Sequence, residues 1–155
     1  MSMKVRFEEP KYGWIGFCIE EKNEIIINTY FSYICGCSLS SLLECLQSLK
    51  EPKNLEEKVI FYLEPASYEF IFTKEKENIS LKILFFENHT RSLLEDEDIK
   101  LFKVGSYKEI CMPFFRALRE LQSHYSQEEL DTLWKVSFSY EKLDKFSKFL
   151  KRNKS

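Results

Sequence analysis

Apolar positions recur along this chain with a period that changes twice. Trp14-Ile15-Gly16-Phe17-Cys18-Ile19 is followed by a polar break, Glu20-Glu21-Lys22-Asn23, and then by Glu24-Ile25-Ile26-Ile27-Asn28-Thr29-Tyr30-Phe31. Two β-branched and aromatic runs split by a short polar turn predict a β-hairpin. Gly16 inside the first strand predicts a bulge or a close backbone approach. Over 38–50 the period lengthens: Leu39, Leu42, Leu43, Leu46 and Leu49 form one stripe of an amphipathic helix. Ser38 is its expected N-cap, and Pro52 follows its end.

The period then returns to two. Val59, Phe61 and Leu63 share one face; Glu64-Pro65-Ala66-Ser67 is turn chemistry; Tyr68, Phe70 and Phe72 alternate with Glu69, Ile71 and Thr73. After the polar turn at 74–78, Ile79, Leu81, Ile83 and Phe85 line a further strand. Short connections force antiparallel pairing, because a parallel pair needs a long crossover. The expectation is a three-stranded meander, with another strand at 99–104. The last third is helical. Ser106 and Glu109 fit a capping box, as do Ser126 and Glu129. Pro113 inside the first of these patterns predicts a kink, or a helix start nearer Pro113. Leu143, Phe146 and Leu150 share a face of the final helical segment, 140–152.

These elements predict the α+β class and a single domain over 1–155. A mainly antiparallel sheet, hairpin plus three-stranded meander, is covered on one face by the Leu-rich helix and the C-terminal helices. No internal repeat or linker divides the sequence.

Composition narrows the function. With 44% hydrophobic and 31% charged residues in 155, the chain has the material for a core and is not a disordered sequence. Lys and Arg total 23 against 25 Asp and Glu, a net charge of −2, which argues against neutralising phosphates as the main task and against a nucleic-acid partner. The charge is uneven. Residues 1–105 hold 13 basic and 18 acidic groups, and residues 106–155 hold 10 and 7. Charges interrupt the first ten residues and no apolar run approaches the roughly 20 residues of a bilayer span, so a cytoplasmic protein without a membrane partner is expected. Five cysteines, at 18, 35, 37, 45 and 111, match no disulfide framework, and reduced thiols are the default.

Catalytic motifs are missing. Glycine occurs only at 13, 16, 36 and 105, which excludes both glycine-rich phosphate-binding motifs and the nucleophile elbow. His89 and His124 stand apart from any dense ligand cluster. Cys35-Gly36-Cys37 has the composition of a soft-metal or redox pair but lacks the further ligands or the usual spacing, so it reads better as a permissive strand-to-helix turn. Trp14 and Trp134 are available as interface anchors. The tail at 145–152 interleaves Phe with Lys, and reads as a packed amphipathic helix rather than a membrane or nucleic-acid element. The sharpest charge feature is Glu95-Asp96-Glu97-Asp98. It lacks the glycine and terminal Glu of a calcium loop, and as a solvated acidic run it suits a basic protein surface.

The order of elements resembles that of small bacterial immunity proteins of polymorphic toxin systems. Tyr30–Tyr33, the helix at Leu39–Leu49, and Phe61-Tyr62-Leu63-Glu64-Pro65 followed by Tyr68 carry the likeness, over residues 1–90. The resemblance implies one cytosolic domain that binds and neutralises a toxin without catalysis, with no functional residue carried over. The leading expectation is therefore a non-enzymatic protein-binding module. It has no catalytic, metal or cofactor residues, and it presents Glu95, Asp96, Glu97 and Asp98 to a basic toxin domain. The alternatives are a small enzyme or ligand binder whose site forms only in the fold, recognisable by a deep pocket with a perturbed titrating group, and a homo-oligomeric structural protein.

Overall fold

The computed structural model describes residues 3–88 and 98–153. Its N-terminal third is shaped by two-residue turns. Strand β1 (Lys4–Lys11) reverses through Tyr12 and Gly13, at φ 53° and 82°, into β2 (Trp14–Glu21). β2 reverses through Lys22 and Asn23, at φ 53° and 67°, into β3 (Glu24–Ser32). Positive φ at both central residues matches the twist of antiparallel strands. Gly13 is obligatory here, because a side chain at this position would run into the ring of Tyr33. Its N–H also donates to the Leu133 carbonyl at 2.9 Å, tying this turn to the C-terminal helices. Gly16 does make the expected close approach: a Cβ there would lie 3.0 Å from the Glu8 carbonyl oxygen.

The expected hairpin is thus the β2–β3 pair of a three-stranded antiparallel sheet, ordered β1-β2-β3. The sequence reading lacked β1. Val5, Phe7 and Pro10 are the covered residues along it, and the step from Phe7 to Pro10 breaks the alternation: Glu9 has a left-handed φ of 37° and the register shifts between Glu8 and Lys11.

The expected meander is a second, separate sheet. β4 (Glu56–Tyr62), β5 (Ser67–Glu75) and β6 (Asn78–Phe86) are joined by the anticipated strand β7 (Asp98–Gly105), in the order β4-β5-β6-β7 and antiparallel throughout. The molecule is α+β, with two antiparallel sheets where one was expected.

Helix α1 (Ser38–Ser48) buries Leu39, Leu42, Leu43 and Leu46, the predicted stripe. Its cap differs from the prediction. The Cys37 sulfur accepts from the Ser40 N–H, while the Ser38 hydroxyl donates to the Ile60 carbonyl at 2.7 Å and fastens α1 to β4. Both predicted capping boxes are present. One opens the single turn α2 (Tyr107–Ile110) and the other opens α4 (Gln127–Trp134). The helical pattern breaks at Cys111, and α3 (Met112–His124) starts with Pro113 in its first turn, where the missing N–H costs nothing. The last helix, α5 (Tyr140–Arg152), buries Leu143 and Phe146. No helix among the described residues is long and apolar enough to cross a membrane.

Aromatic rings hold the layers together. Phe17 of β2 lies 4.6 Å from Phe61 and 5.8 Å from Phe70, centroid to centroid, so it joins the two sheets. Phe114 of α3 meets Phe70 and Phe72 edge-on at 5.9 and 5.7 Å. Trp134 of α4 meets Phe31 at 5.2 Å. A polar clasp adds to this: Lys103 of β7 pairs with Glu21 of β2 at 2.8 Å, with both side chains mostly covered.

Candidate docking groove

A cleft of about 580 Å³ runs between β1 and α3. Its strand wall is formed by the consecutive residues Met3 to Glu9. Successive side chains of a strand point to opposite faces, so a hollow lined by every residue lies along the strand's edge rather than on one face. β1 is an outer strand of its sheet, with β2 as its one neighbour among the described residues. The helix wall is one stripe of α3, including Arg116, Ala117, Glu120 and His124 at helical spacing.

The walls carry both signs of charge. Lys4, Arg6 and Arg116 are set among Glu8, Glu9 and Glu120. Arg6 Nε reaches Glu8 Oε1 at 3.3 Å, an exposed pair worth little by itself. His124 Nδ1 lies 2.9 Å from the Glu120 carbonyl oxygen, a contact within its own helix end. The floor is apolar, made by Phe7, Ala117 and Leu121.

Other sequence-flagged residues fall elsewhere. Glu95, Asp96, Glu97 and His89 lie outside the described residues. Asp98 opens β7, exposed and paired with Lys100 at 3.0 Å, and takes no part in the groove. Cys35 is exposed and Gly36 turns at φ 125°, the permissive connection expected between strand and helix. Cys37 is a hydrogen-bonding hub. Its sulfur accepts from the Ser40 N–H at 3.4 Å, the Ser40 hydroxyl at 3.2 Å and the Trp134 indole N–H at 3.3 Å. Trp134 is therefore a core residue, not an interface anchor; Trp14 is half-buried. Cys45 is buried in α1, where Cys111 is among its electrostatic neighbours. Among the described residues, no three His, Cys, Asp or Glu side chains converge as a metal-binding group.

The strongest departures from ordinary acidity lie in the interior. Burial pushes the thiols of Cys45 and Cys111 up, and it does the same to the Tyr107 phenol, whose hydroxyl donates to the Leu46 carbonyl at 2.6 Å. None of these three lines the groove.

The sequence reading missed the groove because it missed β1. The readable signal was the alternation of Val5 and Phe7 with Lys4, Arg6 and Glu8 ahead of the Tyr12-Gly13 turn. No family model, curated protein or solved structure matches this chain.

Proposed function

We propose that this protein is a non-enzymatic protein-binding module that seats an extended segment of its partner between β1 and α3. The carrying observation is the run of consecutive residues, Met3 to Glu9, that line the groove along the outer edge of a sheet. An outer strand offers half its N–H and C=O groups for pairing, and an added strand satisfies them while its alternate side chains meet the neighbouring helix. Residues 4–9 span about 20 Å at roughly 3.3 Å per residue, room for a segment of similar length. Main-chain pairing supplies affinity without sequence preference. Phe7, Ala117 and Leu121 favour an apolar side chain on the floor, and Arg116 and Glu120 select for charge at the rim. Catalysis would need a perturbed acid, base or nucleophile in the cleft; here the strongly perturbed groups belong to the core.

The finer reading, an immunity protein that blocks a basic toxin domain, draws its support from the resemblance over residues 1–90 and from the acidic run ending at Asp98. Its test is co-expression with the product of the neighbouring gene. A toxin that forms a stable complex and loses activity supports it, and a neighbour that is no toxin counts against it.

The groove itself is tested with displayed random linear peptides. Selected binders should shift the NMR amide signals of residues 4–9 and of α3. Binding should weaken roughly tenfold, about 1.4 kcal/mol, in Arg116→Glu or Glu120→Lys. Binders that map elsewhere, or a failure to select any, would refute the reading.

A further inference from the structure

We infer that β7 is a self-association edge, pairing antiparallel with β7 of a second copy of this chain. Among the described residues β7 is an outer strand of its sheet, and its partner within the sheet is β6. The register gives the face of each side chain. Phe85 pairs with Asp98, Ile83 with Leu101 and Leu81 with Lys103 on the inner face; Leu84 pairs with Ile99, Lys82 with Phe102 and Ser80 with Val104 on the outer face. The shift at Lys100 is what keeps Ile99 and Phe102 on the same side. Ile99, Phe102 and Val104 are thereby left 52%, 62% and 55% exposed, a row of large apolar side chains at a sheet edge. Edge strands with exposed apolar side chains invite strand pairing, which proteins normally prevent or use.

The strand is complementary to itself. Under a twofold axis, one register sets Asp98 opposite Lys103 of the second copy and Ile99 opposite its Phe102. Opposed residues in an antiparallel pair share a face, and this register matches inner with inner and outer with outer. It also makes two opposite-charge pairs and two apolar pairs at once, because each occurs twice by symmetry. Lys103 then lies between Glu21 of its own chain and Asp98 of the copy. Two four-stranded sheets become one continuous sheet. This edge belongs to the sheet that does not contain β1, so the inference stands independently of the groove.

Sedimentation velocity across the micromolar range tests it. The expected mass is twice 18.6 kDa. Phe102→Asp should weaken association roughly tenfold or more, with an unchanged circular dichroism spectrum, because the side chain is mostly outside the core. Val104→Lys is the second variant, should Phe102→Asp fold poorly. In a Cys35→Ser background, Ile99→Cys combined with Phe102→Cys should form an intermolecular disulfide with oxidised glutathione as the oxidant. A mass of one chain at every concentration overturns the inference, and so does a dimer indifferent to both Phe102→Asp and Val104→Lys.

Discussion

Phe17 is a central ring of the seam between the two sheets, which Phe31 also crosses to Phe61 at 5.0 Å. Its centroid lies 5.0 Å from Phe7 and 5.7 Å from Phe31 within its own sheet, and 4.6 Å from Phe61 and 5.8 Å from Phe70 across the interface. It is 1% exposed, so its removal leaves a cavity that rigid strands fill poorly. Phe17→Ala should cost about 3–5 kcal/mol, a large share of the roughly 5–15 kcal/mol that holds a typical domain folded. Part of the loss belongs to the ring pairs, worth about 0.5–1.5 kcal/mol each beyond their buried area. A double-mutant cycle isolates the cross-sheet share. Phe17→Leu and Phe61→Leu keep apolar bulk, and their double variant measures the coupling. Urea unfolding followed by circular dichroism gives each free energy, provided the slope with denaturant is unchanged. The expected coupling is about 0.5–1.5 kcal/mol. Additivity within about 0.3 kcal/mol would refute the claim that this ring pair joins the sheets.

Other consequences follow from caps, buried phenols and thiols. Ser126→Ala removes the acceptor for the Glu129 N–H and should cost about 1 kcal/mol in urea unfolding. Hydrogen bonds from the Ser106 and Ser126 backbone N–H groups hold the Glu109 and Glu129 carboxyls below their usual range. Their contribution to stability is complete above the ordinary carboxylate value and fades as the pH falls through the depressed ones, so Glu109→Gln with Glu129→Gln should flatten the acid limb of a melting profile. Burial first, then Asp131 and Glu129, pushes the Tyr140 phenol up to about 12, and its hydroxyl donates to the Tyr125 carbonyl at 2.7 Å. With the folded value above the unfolded one near 10, that stability is full below about pH 10 and lost as the pH rises toward 12; Tyr140→Phe should remove this alkaline loss. Among the thiols, Cys35 should react with Ellman's reagent in the folded protein, while Cys45 and Cys111 should wait for denaturant. A fast phase that survives the replacement of both Cys35 and the half-buried Cys37 by Ser would contradict the observed burial.

The readable parts of the fold are those written by local periodicity. The stripe Leu39–Leu46, the capping boxes at Ser106 and Ser126, and the alternation along β5 and β6 each fit within one element and needed no knowledge of distant partners. The helix break at Pro113 was legible for the same reason. The division into two sheets was not, because nothing local says that β3 leaves the sheet that β4 begins. The N-cap slipped by one residue for a tertiary reason: the Ser38 hydroxyl is drawn to Ile60 in another element, leaving the Cys37 sulfur to serve the helix end. Trp134 was unplaceable for a like reason, since its indole partner, Cys37, is 97 positions away. The groove combines both difficulties. One wall is a strand whose alternation breaks after Phe7, and the other lies more than a hundred residues further along the chain.

On the two proposals above, β1 and β7, each an outer strand of its own sheet, serve different associations. Each leaves half its backbone hydrogen-bonding groups outside its own sheet, and the side chains around each restrict what can be added. At β1 the helix α3 stands beside the edge, so the proposed guest there is a single extended segment rather than a second folded sheet. At β7 the outer face is an apolar row, and the charges Asp98 and Lys103 suit a two-fold copy. Addition of strands at the two ends therefore calls for different guests, a lone segment at one and a twin chain at the other. Since β1 and β7 lie in different sheets, joined through Phe17 and the Lys103–Glu21 pair, neither event needs to disturb the other. Titration of the dimer with a groove-binding peptide should then give one peptide per chain without cooperativity. Half-site saturation would mean that the two edges are coupled through the aromatic seam between the sheets.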